Sequence, residues 1–364
     1  MKTFKTLLMS VLAFLAYGCA SIAGKGELIE VAQFGESMAI GLSVNQEDRV
    51  FISFPNYDGA GSFAVAEVVD GKLFPYPDVA WNTKGIYQNH FLRVQDLYVD
   101  DNDFLWVLDS KPASSGNIFA DGKGEEAGFF KLVKINTKTN QVEDTFFFDD
   151  LDKSKSALND VRIDTEKNLA YLSDPASASI VVLDLFTKQS RNVLSQSVFT
   201  LADDIVLEYN GVKMQDHDGK PFSSNINSIA LTHDFKYFYF KPINKPNLYR
   251  IETVYLANPQ LTDQELQSKV EDLGEVGITH GMIADERGNI YFASSENFRI
   301  SYVTPDGVLN MLVEDPKLIW PDSFGISSDG YLYFTCAQIQ RLPHWNNGLD
   351  NTEYPYKAFK VKLP

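Results

Sequence analysis

The sequence repeats one design six times. Each copy has an apolar stretch, a short turn rich in acidic residues and a second, strongly hydrophobic stretch, as in Val94–Ser110, VQDLYVDDNDFLWVLDS. The turn Asp100–Asp103 consists of Asx residues, whose short side chains hydrogen-bond to the nearby backbone and tolerate left-handed dihedral angles. The run Phe104–Leu108 is typical of a strand that is buried on both faces. The copies are Met38–Phe54, Val94–Ser110, Leu158–Asp174, Ile226–Phe240, Ile278–Ser294 and Ser323–Thr335.

Most copies are followed by a third strand, such as Ile180–Leu185, and often by a fourth, such as Val142–Phe148. Repeats of roughly 40–70 residues with three or four strands each are the signature of a β-propeller. One small sheet cannot bury both of its faces, so the units pack against one another around a central axis. We therefore predict an all-β, six-bladed β-propeller over residues 28–364, with seven blades as the rival count. The strand Ala358–Leu363 is expected to share the last blade with the strand near Leu28–Phe34 and so to close the ring.

Composition narrows the classes of partner. The formal net charge is −17 at pH 7, and an acidic surface argues against nucleic acids and anionic membrane surfaces as partners. Solubility alone would also explain such a charge. The 26 phenylalanines and 17 tyrosines favour strands over helical bundles.

Residues 1–18 have the organisation of a signal peptide, with two lysines before the apolar segment Leu7–Tyr17. That segment is too short to span a membrane. The small residues before Cys19 are similar to the lipobox of bacterial lipoproteins, in which the cysteine is diacylated. We therefore predict a lipid anchor at Cys19, a tether over residues 19–27 and a location in the bacterial cell envelope, in the periplasm or at the outer membrane. Cleavage after Ala23 followed by secretion is the alternative.

Four local features complete this part of the prediction. Asp216–Gly219, DHDG, indicates a hairpin turn rather than a cation loop, because its aspartate spacing fits no EF-hand. Thr262–Glu265 is a capping box that should begin a helix ending near Val270. Cys336 lies in an apolar run and should be a buried small hydrophobe, without a disulfide partner once the N-terminal cysteine is lipidated or removed. Lys111–Gly128 is expected to be a surface loop, with a lid as the alternative.

Several stretches between about Val94 and Asn347 together match one family, in family order. They are VQDLYVDDNDFLWVLDS, FFKLVKIN, AYLSDPASASIVVLDL, INSIALTHDFKYFYFKPINKPNLYRIET and WPDSFGISSDGYLYFTCAQIQRL followed by HWNN. The chain thereby resembles the Yellow/major royal jelly protein family and its bacterial members. This resemblance implies a six-bladed propeller, in agreement with the repeat count. It implies small-molecule binding in some members, dopachrome conversion in others and structural or nutritional roles in the rest.

A more distant resemblance is to the SMP-30/gluconolactonase propellers. Those proteins hold a divalent cation in the central channel with one Glu, two Asn and one Asp at the starts of the innermost strands. The polar residues at the corresponding positions of this chain are Glu36, Gln95, Asp96, Asn159, Asp160, Asn227, His280 and Asp322. The resemblance makes Glu36, Asn159, Asn227 and His280 the candidate metal ligands. Oxygen ligands would suit Ca²⁺ or Mg²⁺, whereas the histidine would favour Zn²⁺ or Mn²⁺.

Polar side chains from all the strand starts would line a site at one mouth of the channel. They could equally satisfy backbone groups and channel water. The candidate ligand-binding residues are Gln95, Asp96, Asn159, Asn227, His280, Trp320 and Asp322, with the tryptophan as a stacking surface. With a bound metal, Asp322 or Asp160 could act as the base of a hydrolytic reaction.

We therefore expect an exported, monomeric propeller that binds a small molecule at one end of its central channel. The first alternative is a metal-dependent lactonase or related hydrolase, and the second is a protein-interaction scaffold in the envelope. A membrane contact is expected only through the lipid anchor, and whether the protein is an enzyme is left open by the sequence.

Overall fold

The computed structural model describes residues 26–55, 63–83, 87–111 and 128–364. The predicted signal peptide, Cys19, most of the tether and most of the Lys111–Gly128 loop lie outside the described residues. Within the described ranges, no helix is both long and apolar enough to cross a membrane.

The described strands form six four-stranded antiparallel sheets and one small hairpin. Blade 1 contains β2 (Leu42–Val44), β3 (Val50–Ser53), β4 (Val65–Val69) and β5 (Lys72–Pro75). Blade 2 contains β6 (Val94–Val99), β7 (Phe104–Lys111), β8 (Phe129–Asn136) and β9 (Gln141–Phe146). Blade 3 contains β10 (Val161–Asp164), β11 (Leu169–Asp174), β12 (Ser179–Asp184) and β13 (Ser190–Val193).

The hairpin of β14 (Glu208–Tyr209) and β15 (Val212–Lys213) precedes the second half of the ring. Blade 4 contains β16 (Ile226–Leu231), β17 (Tyr237–Pro242), β18 (Asn247–Glu252) and β19 (Glu271–Glu275). Blade 5 contains β20 (Met282–Ala284), β21 (Ile290–Ser294), β22 (Arg299–Val303) and β23 (Leu309–Glu314). Blade 6 contains β24 (Pro321–Ile326), β25 (Tyr331–Cys336), β26 (Lys357–Lys362) and β1 (Ile29–Gln33). Two short helices, α1 (Thr253–Ala257) and α2 (Asp263–Gln267), decorate blade 4.

The six blades form a closed ring around a central channel. The innermost strands β2, β6, β10, β16, β20 and β24 each contact the next in that order, and β24 contacts β2. In blade 6, β26 pairs with β25 on one side and with β1 on the other, with Ile29 opposite Lys360. The predictions of six blades and of closure by the first and last strands are therefore confirmed.

The acidic turns recur because their carboxylates accept hydrogen bonds from backbone N–H groups that have no strand partner at the hairpin. In blade 2, the Asp100 carboxylate accepts hydrogen bonds from the backbone N–H groups of Asn102 and Phe104 at 2.9 and 3.0 Å. In blade 5, Asp285 accepts from the N–H groups of Arg287 and Asn289 in the same way. A carboxylate that accepts two backbone hydrogen bonds holds the turn, so each copy can fold as a local hairpin.

Hydrophobic clusters lie between adjacent blades. One of them joins Trp106 and Leu108 of blade 2 to Val161 and Leu172 of blade 3, and all four side chains are buried. Complete burial of one such aliphatic side chain stabilises the fold by about 1.5–3 kcal/mol. The indole Nε1 of Trp106 also donates a 2.7 Å hydrogen bond to Asp100.

Three of the local predictions are confirmed, one with a corrected boundary. Asp216 closes a hairpin turn, because its carboxylate accepts from the N–H groups of Asp218 and Lys220. Thr262 forms the capping box of α2, but the helix ends at Gln267, before the predicted boundary. Cys336 is buried and free, and burial raises the pKa of its thiol.

Candidate functional site

Polar residues at the starts of the innermost strands meet at the centre of the ring. The backbone explains how three of them face the channel: strands β6, β16 and β24 each have a register shift at their start, spanning Gln95, Asn227 and Asp322 respectively. A bulge of this kind releases a residue from the ladder and re-aims its side chain. Gln95, Asp96, Asn159, Asp160, Asn227 and His280 are all buried, whereas Asp322 keeps part of its surface accessible.

Hydrogen bonds connect these residues across blades. The Gln95 side chain of blade 2 donates to the Asn159 amide oxygen beside blade 3 at 3.3 Å. Asp96 accepts from the Val161 backbone N–H at 3.0 Å and from the Ser323 hydroxyl of blade 6 at 3.3 Å. The residues at the starts of the innermost strands, of which Gln95, Asn159 and Asp160 are joined by hydrogen bonds, are called the polar ring.

Arg162, which was not among the predicted site residues, spans the channel beside the polar ring. From β10 in blade 3, its guanidinium lies 3.0 Å from the Asp96 carboxylate and donates to the Val161 carbonyl at 2.6 Å. Its other terminal nitrogen donates to the Met282 carbonyl of blade 5 at 2.9 Å. Because the side chain contacts both blade 2 and blade 5, it lies across the centre of the channel. The signal in the sequence is an arginine inside the otherwise buried inner strand VRID.

All three carboxyl groups of the polar ring have raised pKa values. Burial and the nearby Asp96 charge raise the pKa of Asp322 to about 8, and the same two causes raise the pKa of Asp160 well above its ordinary value. Burial is the largest cause of the raised pKa of Asp96 too, and the adjacent Arg162 guanidinium opposes it. A carboxylic acid that stays protonated near neutral pH can donate a hydrogen bond or a proton, which is the chemistry of a general acid.

An apolar cap covers the polar ring on the side where the inner strands start. The imidazole of His280 stacks on Trp320, with ring centroids 3.6 Å apart and planes 19° apart. Its Nε2 lies 3.4 Å from the hydroxyl of Tyr209, which belongs to the β14–β15 hairpin. Phe222 packs edge-on against Trp320. The other buried members of the cap include Leu207, Met214 and Ile339.

The cap fixes the chemistry of His280 and Trp320. Burial, with the Lys241 charge as a second cause, lowers the pKa of His280 well below its ordinary value, so this imidazole is neutral. Trp320 has φ of 55°, a left-handed conformation that bulky residues rarely adopt. Next to His280, a Cβ at Gly281 would lie 1.6 Å from the Asp322 carbonyl oxygen, so only glycine allows this approach of β20 to β24. Both aromatic side chains are thus packed inside the cap and do not face an open mouth.

Glu36 does not join the other three candidate metal ligands. It is exposed, in a turn whose Gly35 carbonyl accepts from the Tyr356 backbone N–H, near the end of the chain. Met38, Ala39 and Ile40, which are buried, separate it from β2. The expectation of a four-residue site of Glu36, Asn159, Asn227 and His280 is corrected accordingly. Within the described ranges, one group of three residues has imidazole and carboxylate ligand atoms within 4.8 Å of one another. It consists of Asp216, His217 and Asp218 on the surface hairpin.

The channel opens at the other end, where the inner strands end, into a cavity of about 570 Å³. We call it the strand-end cavity. All six blades contribute to it, and Arg162 lies at its inner end. Its lining includes Val44, Tyr98, Val99, Arg162, Leu231, Ile283 and Ile326, with Asp101, His233, Glu286 and Arg287 among the charged residues.

Comparison with known proteins agrees with the architecture. The family model described as "Major royal jelly protein" matches residues 92–363. The chain belongs to the major royal jelly protein family. No curated protein sequence matches it significantly.

Solved structures show the same fold at low identity. A gluconolactonase from Xanthomonas campestris is 13% identical, with a TM-score of 0.54 over 95% of this chain and 93% of that one. A calcium-binding protein, regucalcin, from Agrobacterium tumefaciens is 14% identical, with a TM-score of 0.52 over 93% and 96% of the two chains. A streptogramin B lyase is 12% identical, with a TM-score of 0.53 over 93% and 98%. Both resemblances found in the sequence are thereby confirmed, and at these identities the likeness shows the fold alone.

Proposed function

We propose that this member of the major royal jelly protein family is an exported protein that binds a small molecule in the strand-end cavity. The observation that carries the proposal is a concave site of about 570 Å³ to which every blade contributes. Ligand sites of folded proteins have volumes of roughly 300–1,000 Å³ and lie at such convergent mouths.

The two ends of the channel differ in access. The strand-start end is covered by the cap of Tyr209, Phe222 and Trp320. A ligand that enters the strand-end cavity stops at Arg162, which is held in place by Asp96 and the Met282 carbonyl. A site with a fixed floor and an open mouth requires no rearrangement of the blades, so binding incurs little ordering cost.

The test is a ligand screen by thermal shift, followed by calorimetry, with alcohols, lactones and aromatic amines as the compounds. Ile283→Arg places a long side chain into the cavity wall and should abolish binding while leaving the thermal transition cooperative. Val212→Arg is the matched control, because Val212 is 60% exposed on the β14–β15 hairpin, outside the cavity lining. If no compound binds, or if Ile283→Arg binds as tightly as the wild type, the proposal is wrong.

A hydrolase is the second candidate, because the polar ring holds a carboxyl group with a pKa of about 8 at Asp322. The fold is that of a solved gluconolactonase. A substrate would need the cap to open, and any bound Ca²⁺, Mg²⁺, Mn²⁺ or Zn²⁺ would have to use oxygen ligands other than Glu36. Metal analysis of the purified protein and lactone hydrolysis with each added ion test this candidate. Turnover that Asp322→Asn abolishes would support it, and the absence of both bound metal and turnover would exclude it.

Export and lipidation are part of the proposal, supported by the charged and apolar order of residues 1–18 and by the small residues before Cys19. Radiolabelled palmitate supplied to bacteria that express the full chain should label the wild type. The variant Cys19→Ser should remain unlabelled and leave the membrane fraction. Equal labelling of both proteins would contradict an anchor at this cysteine.

A further inference from the structure

We infer that the strand-end cavity takes an uncharged molecule with an apolar body, whose hydroxyl or carbonyl group meets the Tyr98 phenol near the cavity floor. This inference rests on the proposed function, because it names the class of ligand for the same cavity.

Aliphatic side chains line much of the cavity wall, beside polar side chains that already have hydrogen-bond partners, namely Ser43, Asn45, Gln46, Ser327 and Ser328. Val44, Val99, Leu231, Ile283 and Ile326 line it from five different blades. Three of these side chains, Val99, Ile283 and Ile326, are only half-buried. Neighbouring positions on the same strands are, by contrast, buried by the adjacent blades. Contact with an apolar body would remove this surface from water, at roughly 25 cal/mol for each Å². The walls therefore select a ligand with a hydrophobic body.

The floor offers no free charge. Asp96 neutralises the Arg162 guanidinium at 3.0 Å, and the carbonyl groups of Val161 and Met282 take its terminal hydrogens. The Arg162 side chain is only 6% exposed, and its Nε, which has no partner among the described residues, is covered. An ionised ligand group at this depth would lose its water without gaining a counter-charge, which is strongly unfavourable. The inner end of the ligand must therefore be neutral.

The Tyr98 hydroxyl is the polar group left available near the floor. The ring of Tyr98 lies 5.3 Å from the Arg162 guanidinium, and the residue is half-buried in the cavity lining. No described residue holds its hydroxyl. By contrast, the buried hydroxyl groups of Tyr171 and Tyr291 bond to aspartates. Burial raises the pKa of Tyr98, so its phenol stays protonated and can donate to a carbonyl or hydroxyl oxygen.

Apart from Arg162, the charged side chains that line the cavity belong to Lys362 and to the turns after the inner strands, and they have both signs. His233 lies 3.5 Å from Asp101, and Glu286 and Arg287 follow one another in the turn of blade 5. The two other lining carboxylates, Asp100 and Asp285, are occupied by the hydrogen bonds of their turns. Cations and anions together give no net preference for a charged ligand. Selectivity therefore depends on the aliphatic walls and on Tyr98.

Four naphthalene probes separate these contributions: 2-naphthol, naphthalene, 2-naphthoate and 2-naphthylmethylammonium. Calorimetry and fluorescence titration with the full-length protein at neutral pH should give the tightest binding for 2-naphthol, about tenfold or more above either charged probe. Tyr98→Phe should weaken 2-naphthol binding about 3- to 10-fold, the usual effect of one hydrogen bond, and leave naphthalene unchanged. Tyr237→Phe is the matched control, since Tyr237 lies outside the cavity lining, and it should change neither affinity.

The outcomes distinguish this inference from the function on which it rests. If a charged probe binds most tightly and Ile283→Arg abolishes that binding, the cavity is the site but the ligand class is wrong. The inference also fails if Tyr98→Phe affects naphthalene and 2-naphthol equally, or if none of the four probes binds while another compound of the screen does. If no probe and no screened compound binds, both the inference and the proposed function fall.

Discussion

Replacing Asp322 by asparagine should stabilise the protein most in alkaline solution and by a smaller amount in mild acid. The folded protein raises the pKa of Asp322 from 3.8 to about 8, chiefly through burial and secondly through the Asp96 charge. Between these two pH values the folded state keeps a proton that the unfolded state releases. The wild type must therefore lose stability as the pH rises from about 4 to about 8. Asparagine is neutral at every pH and keeps an oxygen that can accept from the Trp320 indole, as Asp322 does at 3.1 Å.

The size of the effect follows from the shift. About four pKa units at about 1.4 kcal/mol each give an upper value near 6 kcal/mol. Asp322 keeps part of its surface accessible, and water at that surface lowers the cost of the charged form, so we expect about 2–4 kcal/mol. Near pH 5 the folded state keeps the proton of Asp322 but the unfolded state has lost most of it, so about 1.5 kcal/mol of this difference is already present and the rest develops by pH 9.

Urea denaturation at pH 5, 7 and 9 measures the free energy of unfolding of the wild type and of Asp322→Asn. Asp204→Asn is the control, because Asp204 is an exposed aspartate outside the polar ring, and its difference from the wild type should stay constant with pH. The reasoning is refuted if Asp322→Asn differs from the wild type by the same amount at pH 5 and pH 9. It is refuted as well if the variant is the less stable protein at pH 9.

Three further substitutions probe the centre and the rim. Arg162→Met should lower the free energy of unfolding by about 3–5 kcal/mol in urea titrations, because Asp96 then loses its buried counter-charge. The double variant with Asp96→Asn should recover much of that loss, and the absence of recovery would contradict the pairing. Gly281→Ala should prevent native folding and abolish the cooperative thermal transition, since the new Cβ would lie 1.6 Å from the Asp322 carbonyl oxygen. A variant of wild-type stability would show that β20 and β24 do not approach this closely. Thr262→Ala should lower the free energy of unfolding by about 1 kcal/mol in thermal or urea unfolding, because the cap hydrogen bond is lost. A larger loss would mean that α2 contributes to the stability of the whole propeller.

The fold could be predicted because its determinants are local. Blades 1 to 5 are meanders of consecutive strands, and an acidic turn such as Asp100–Asp103 marks the hairpin between the first two strands. Burial on both faces follows from runs such as Phe104–Leu108. Even the closing pair could be predicted, because Ala358–Leu363 alternates like a strand at the other end of the sequence from the strand near Leu28–Phe34.

The candidate site could be predicted only in part. The strand pattern fixes where residues beside a strand start lie, so the buried positions of Asn159 and Asn227 could be predicted. The prediction for Glu36 was wrong because β2 begins only at Leu42. The residues between them are buried in the hydrophobic core and do not extend the strand. Arg162 and the cap of Tyr209 depend on contacts between blades that are distant in sequence. No periodic pattern reports such contacts, so the closed and open ends of the channel could not be distinguished beforehand.

The pairing of β1 with β26 has a consequence for the order in which the molecule can be assembled. The ion pair between Glu30 and Lys357 joins residues 327 positions apart. Because β1 is synthesised first and its partner β26 last, β1 has no strand partner until almost the whole polypeptide exists. A chain shortened by its final strand would leave a seam in the ring between β25 and β1. A synthetic peptide with the sequence of β26 could complement that seam, and a second truncated copy could not, since it lacks the same strand.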